Sequence, residues 1–281
     1  MGREIRVTVL IENTTESTLV CEHGLSLFIE YRGKKIMLDA GSSSAFGENA
    51  NILNIPLTGL DAYVLSHGHY DHSGGLGIVF SADSDAKVYA RKEALGVYLS
   101  ARGGMHEISV PREIASQRDR FILTDGIREI LPGAFLVPHS SDGLDKIGER
   151  SGLYKMRDNH TVPDDFAHEQ SLILEAEKGI VIFNSCSHAG AENILRGARA
   201  ACGQKNIYAY VGGLHMKWKR DGKEICTFSD EQIDTLCNAF VREDVSRIYT
   251  GHCTGIPAFE AMHKRLGNRI HKVTTGMIFE L

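Results

Sequence analysis

The run Ser66-His67-Gly68-His69-Tyr70-Asp71-His72-Ser73-Gly74-Gly75 sets three imidazoles and a carboxylate between positions 67 and 72, directly behind the apolar stretch Ala62-Tyr63-Val64-Leu65. In an extended segment residues two apart point the same way, so His67 and His69 converge on one point. Ser73-Gly74-Gly75 lets the chain turn sharply into a helix. Asp71 and His72 then sit near the helix start, within reach of a second point close by. Imidazole and carboxylate donors at two such points suit a pair of divalent metals, zinc first, with iron or manganese as alternatives. One histidine here would read as an ordinary loop residue. Four residues of metal-binding type at this spacing read as a metal site.

Such side chains need a rigid frame, and the flanking sequence supplies one. Ile5–Ile11 and Leu25–Tyr31 are β-rich, Arg32-Gly33 turns the chain into Lys35–Leu38, and Asp39-Ala40-Gly41 ends that strand in a loop. Leu53–Leu60 reads as a short helix and turn, Ala62–Leu65 as the strand behind the histidines, Gly74–Phe80 as a helix, Lys87–Ala90 as a strand and Arg91–Ser100 as a helix. Residues 100–165 carry Gly103-Gly104 and several prolines. They read as an irregular insertion outside the main layers, with strands near Phe121–Leu123 and Ala134–Val137. Beyond 170 the pattern is regular, with strands Leu172–Ala176, Ile180–Phe183, Ile207–Val211, Arg247–Thr250 and Lys272–Phe279. Helices Ala191–Ala201, Asp230–Val241 and Ile256–Leu266 alternate with them. Strands mixed with helices in both halves predict an α/β fold with two sheets face to face and helices outside. No internal repeat is visible, and residues 1–281 read as one domain.

Bulk properties narrow the function classes. A chain of 281 residues with 42% hydrophobic content buries a large core. The formal net charge of −5 gives no global basic field, which argues against nucleic acid and anionic membranes as partners. No apolar run approaches the roughly 20 residues of a membrane span. The start, Met1-Gly2-Arg3-Glu4-Ile5-Arg6, lacks the apolar core of a signal peptide. Cys21, Cys186, Cys202, Cys226, Cys237 and Cys253 are scattered without a Cys-x-x-Cys pair, as in a reduced cytoplasmic protein. A small-molecule substrate is the expected partner.

His67-Gly-His69-Tyr-Asp71-His72 matches the H-x-H-x-D-H signature of the metallo-β-lactamase superfamily, and it follows a strand as that superfamily requires. Asp39-Ala-Gly41, His188 and His252 fall in the superfamily's order. Further stretches, among them Glu12-Asn13-Thr14, Glu22-His23-Gly24, Cys186-Ser-His188, Gly212-Gly-Leu-His215 and His252-Cys-Thr-Gly255, resemble one branch of it. That branch contains the dihydropterin ribofuranosylaminobenzene 5′-phosphate synthases. The resemblance implies an αββα sandwich with two metals at one end of the sheets. It also implies that His67, His69 and His188 hold one ion, that Asp71, His72 and His252 hold the other, and that Asp39 orients ligands from beneath. Many superfamily hydrolases carry a bridging aspartate at the end of a second-half strand, a position that here reads Ser185-Cys186. The second ion is therefore expected to be the weaker, unless Cys186 or Glu169 compensates.

The expected activity is metal-dependent hydrolysis or transfer on a small phosphorylated or ester-containing metabolite, with a pterin-related one in view. Metal-activated water is the nucleophile, and Asp71 and His215 are the catalytic candidates. His23 and Asn13 are candidate pocket residues, and Trp218 with Lys217, Lys219 and Arg220 forms a basic aromatic loop suited to phosphate. His106, His139, His160, His263 and His271 have no motif context. The competing reading is a non-catalytic, metal-containing sensor or ligand-binding module on the same scaffold. The insertion is expected to cover the metal pocket or to pack in a homodimer.

Overall fold

Period-two burial runs through the strands on both sides. Ile5, Val7 and Val9 face one core while Leu10 faces another, and Leu172 and Leu174 lie opposite to Ile173 in the same way. Strands apolar on both faces must be covered on both faces. The computed structural model, which describes residues 4–139 and 141–281, shows how. Met1, Gly2 and Arg3, part of the leaderless start expected above, lie outside the described residues, as does Ser140 within the expected insertion.

Two seven-stranded sheets pack face to face. The first runs in the order Ile278–Glu280, Ile5–Ile11, Ser26–Tyr31, Lys34–Leu38, Ala62–Val64, Val88–Arg91, Phe121–Thr124. The second runs Arg128–Leu131, Ala134–Pro138, Gln170–Ala176, Gly179–Phe183, Ile207–Val211, Arg247–Thr250, Ile270–Lys272. Each sheet, read in that order, makes three antiparallel pairings and then three parallel ones. The halves thus share a plan that leaves no visible repeat in the sequence.

The inner core between the sheets includes Val7, Leu27, Ile36, Val64, Phe183 and Val211. Helices Ala45–Ile52 and Leu76–Ala82 cover the first sheet's outer face. Helices Ala191–Ala201, Asp230–Arg242 and Ile256–Leu266 cover the second's, completing the αββα sandwich. Ser229 starts the long helix with a capping box, its side chain accepting from Gln232 N while Gln232 answers its backbone.

Four sequence expectations are corrected. The first helix lies at Ala45–Ile52 and not at 53–60, where Pro56 and Gly59 break the chain into turns. Its Asn49 is buried and donates to Leu10 O and Val20 O, so tertiary contacts support a segment with an interior glycine. Residues 91–100 are turns followed by strand Tyr98–Ser100, whose Tyr98 N donates to Ser109 Oγ. The final strand is two strands, Ile270–Lys272 in the second sheet and Ile278–Glu280 in the first. Residues 121–138 belong to the sandwich: Phe121–Thr124 closes the parallel edge of the first sheet, and the hairpin 128–138 opens the second. The rest of the expected insertion is ordered too. Tyr98–Ser100, His106–Glu107, Leu153–Arg157 and His160–Pro163 form a separate four-stranded sheet, with helix Leu144–Ser151 packed on it.

Candidate metal centre

Parallel strands deliver their C-terminal ends to one side of a sheet, and loops leaving those ends meet where the two sheets face each other. Lys34–Leu38 and Ala62–Val64 contribute Asp39 and the loop 66–72. Gly179–Phe183, Ile207–Val211 and Arg247–Thr250 contribute His188, His215 and His252. The loops are tightly built. A Cβ on Gly68 would lie 2.4 Å from Ala94 O, and one on Gly74 would lie 2.0 Å from Ser42 O, so both positions need glycine. Asp39, Ser187, His215 and His252 all take left-handed backbone conformations, with φ of 62°, 56°, 51° and 50°. Strain of about 1 kcal/mol or more per residue concentrates at functional sites that the surrounding fold over-determines.

The six expected ligands are all buried, and they come together as two groups. His67 Nε2 and His188 Nε2 are 3.3 Å apart, with His69 in the same cluster. Asp71 Oδ2, His72 Nε2 and His252 Nε2 form a closed triangle with sides of 3.5, 3.4 and 3.2 Å. An ion with bonds of about 2.0–2.1 Å separates tetrahedral donors by about 3.3 Å. Those two groups therefore fit divalent ions. His69 Nε2 has no hydrogen-bond partner among the described residues, unusual for a buried polar atom that no ligand engages.

Each group is aimed by residues behind it. Asp39 is buried and accepts from Ser66 N, Ser66 Oγ and Ser185 Oγ at 2.7, 2.7 and 2.6 Å. Its Oδ2 is also 2.7 Å from His72 Nδ1, which turns His72 Nε2 toward the centre. Asn13 Oδ1 holds His252 Nδ1 at 3.0 Å, and Glu12 accepts from His252 N. Glu169 accepts from His188 N and Ala189 N at 2.8 and 2.9 Å. That engagement uses both of its oxygens to fix the loop of His188, and Glu169 belongs to none of the metal-capable clusters among the described residues. Asp164 and His168, which the sequence reading passed over, form a further support: His168 Nε2 lies 3.0 Å from Asp164 Oδ2, and its Nδ1 accepts from Gly68 N at 3.0 Å. No local pattern links that pair to the metal loop, because 100 residues separate Gly68 from His168.

Cys186 Sγ sits 3.3 Å from His72 Nε2 and belongs to one cluster with His67 and His72, the only grouping among the described residues that draws on both points. His23, expected only to line the pocket, places Nε2 at 3.3 Å from Asp71 Oδ2 and stacks on His252. His215 is half-buried, 4.4 Å from the His188 ring between centroids, and among the described residues neither of its ring nitrogens has a partner. Thr254 is structural: Leu214 N donates to its hydroxyl at 2.9 Å. His139 is a core residue 2.7 Å from Ser171 Oγ, whereas His106, without motif context, lines the cavity over the centre.

Burial governs the charges. It holds His67 and His188 well below the usual histidine range and His69 at about 3, with neighbouring imidazoles adding to the effect. Burial also pulls His72 down, but Asp71 and Asp39 outweigh it and push His72 up to about 10. Neutral imidazoles at one point and a strong demand for positive charge at the other match what a divalent pair requires. A cavity of about 620 Å³ opens over the centre, walled by the four-stranded sheet through Ser100 and Leu153 and by hairpin Lys217–Cys226 through Trp218.

The family model described as the metallo-beta-lactamase superfamily matches residues 19–145. A solved metal-dependent hydrolase of the beta-lactamase superfamily is 26% identical, covers 99% of each chain and superposes with a TM-score of 0.80. The matched segment and the whole-chain superposition make this chain similar to the metallo-β-lactamase superfamily, whose fold it shares. The chain is 27% identical over 273 residues to a 7,8-dihydropterin-6-methyl-4-(beta-D-ribofuranosyl)-aminobenzene-5'-phosphate synthase of Methanocaldococcus jannaschii, covering 92% of this chain and 90% of that one. An uncharacterized protein of the same archaeon is 29% identical over 94% of this chain and 96% of its own. Superfamily and relatives together support a metal-dependent enzyme. Among the described residues no helix is long and apolar enough to cross a membrane.

Proposed function

We propose that this protein is a metallo-β-lactamase-type hydrolase or group transferase that acts on a small phosphorylated or ester-containing metabolite at a two-metal centre. The observation that carries this reading is the pair of buried donor groups spaced at the edges of ion-sized tetrahedra. His67, His69 and His188 would hold one ion, and Asp71, His72 and His252 the other, with zinc the first candidate. A bound divalent pair lowers the pKa of water toward about 7 and polarises a phosphoryl or carbonyl oxygen.

The chain's own residues do the rest. Asp39 keeps His72 in the tautomer whose Nε2 faces the centre, Asn13 does the same for His252, and Glu12 holds the His252 backbone. Asp71 supplies the carboxylate charge of the second point. His215, whose ring nitrogens have no protein partner among the described residues, is placed to give the leaving oxygen its proton. The similarity to a pterin-linked phosphate synthase supports a phosphorylated, pterin-related substrate.

Metal analysis of protein purified without chelator, with turnover of a panel of phosphomonoesters, phosphodiesters, thioesters and lactones, tests the reading. Two ions per chain, lost stepwise in His67→Ala and His252→Ala, with turnover that falls alongside, is the expected result. Retained ions without turnover on any substrate would favour the sensor reading. Full metal content in His67→Ala would overturn the centre itself.

A further inference from the structure

A second chamber lies beside the metal cavity. It measures about 710 Å³ and shares a wall with the first: Arg102, His188, His215 and Trp218 line both. Ligand pockets commonly span about 300–1,000 Å³, so each chamber is large enough for a ligand portion of its own. Their linings differ. Ile147, Leu214, Phe228 and Leu236 face the outer chamber, whereas Lys217 and Lys219 face only the metal chamber.

Arg102 stands where the two meet. Its Nε donates to Ser151 O at 2.7 Å and its Nη1 to Lys217 O at 3.3 Å, so it ties the four-stranded sheet's helix to the hairpin. Its guanidinium lies 5.3 Å from the Trp218 ring centre. Among the described residues no carboxylate pairs with it and no hydrogen bond engages its Nη2. Glu224, the hairpin acid that lines the same chamber, accepts from Ile256 N through one oxygen. A largely buried guanidinium ordinarily has an anionic partner.

Resting on the metal-centre reading above, we propose that the substrate is bipartite: a phosphate-type group sits against Arg102 at the junction, and an apolar or aromatic portion of the same molecule fills the outer chamber. Arg102, Lys217 and Lys219 concentrate positive charge on one side of the junction, which suits a multiply charged phosphate better than a single carboxylate. Trp218 and Phe228 offer faces for a planar ring. Arg102 is in this scheme a binding and specificity residue for the metal-dependent reaction.

Trp218 is the chain's sole tryptophan, so its fluorescence reports the junction directly. Metal-loaded protein is titrated with benzylphosphonate, methylphosphonate and benzyl alcohol, none of which is an ester to be cleaved. Benzylphosphonate should bind about tenfold more tightly than methylphosphonate, because only it carries an arm to bury. Benzyl alcohol should bind weakest. Arg102→Gln should weaken benzylphosphonate by about tenfold or more, the scale of one charged hydrogen bond. Exposed Thr235 lines the outer chamber, and Thr235→Phe should weaken benzylphosphonate while leaving methylphosphonate unchanged. That variant carries the test by itself if Arg102→Gln fails to fold. Equal binding of the two phosphonates, or benzylphosphonate affinity untouched by Thr235→Phe, overturns the proposal. A protein that holds its ions and turns over small esters yet gives those results sinks the bipartite substrate alone, whereas a protein without ions sinks the metal centre.

Discussion

In the first half of the molecule His67, His69, Asp71 and His72 all leave a single loop behind Ala62–Val64, whereas in the second half His188, His215 and His252 each leave a different strand. The sheets that carry them repeat one pattern of antiparallel and parallel pairings, so the contrast lies in the loops and not in the frame. The single loop has one shared organiser, Asp39, which holds Ser66 and His72 together, with His168 holding Gly68. Of the dispersed histidines, His188 and His252 each have one buried carboxylate, Glu169 for the loop of His188 and Glu12 for that of His252. The local cluster shares its anchors, Asp39 and His168, within one loop, while the distributed ligands each need an anchor of their own.

The largest effects should come from the proposed ligands on either side of that divide. His67→Ala and His188→Ala should each strip the same ion, and activity should fall by more than the roughly 10–100-fold typical of residues that support ligands. Metal counting on both variants would break the comparison if one retained its ion. Next come the separate organisers. Glu12→Gln and Glu169→Gln should each lower metal affinity or activity by about 10–100-fold, the first through the ion at His252 and the second through the ion at His188. Chelator competition that shows both ions loosened equally by Glu12→Gln would mean the second-half anchors do not act independently.

A smaller effect sharpens the contrast. Cys186 is the second-half residue that reaches across to His67 and His72. Cys186→Ser should speed loss of the ion at Asp71, His72 and His252 under mild chelation by up to about tenfold, with the other ion held. An unchanged release rate would leave that ion to its three ligands. Smallest is Ser185→Ala, which removes one of several bonds to Asp39 and should lower stability by about 1 kcal/mol in a denaturant titration, with metal content intact.

The same divide governs what could be read from the sequence. His67, His69, Asp71 and His72 were legible because strand and turn geometry act within a few residues. His188 and His252 entered only through their order in the superfamily, since nothing nearby marks either as a donor. His168 and Arg102 were missed because their partners Gly68 and Lys217 lie 100 and 115 residues away, and Asp164 because it acts only through His168. The helix at Ala45–Ile52 was misplaced for a related reason. Leu53, Leu57 and Leu60 repeat with helical spacing, but Pro56 and Gly59 forbid the helix, while the true one holds through buried Phe46 and Asn49. Within 100–165, prolines and glycines hid strands Phe121–Thr124 and Ala134–Pro138, whose pairing partners lie elsewhere in the chain.

The donors that face each other are far apart along the chain, 121 residues for His67 with His188 and 180 for His72 with His252. An ion that joins such segments acts as a cross-link, closing long loops whose entropy the unfolded chain would otherwise recover. The two sheets are then clasped at one end, and opening at that end requires either release of an ion or a concerted unfolding of both halves. Without bound ions the loops of His188 and His252 would each be pinned by one buried carboxylate. Those loops are where amide hydrogens should begin to exchange first, ahead of the strands that lead into them.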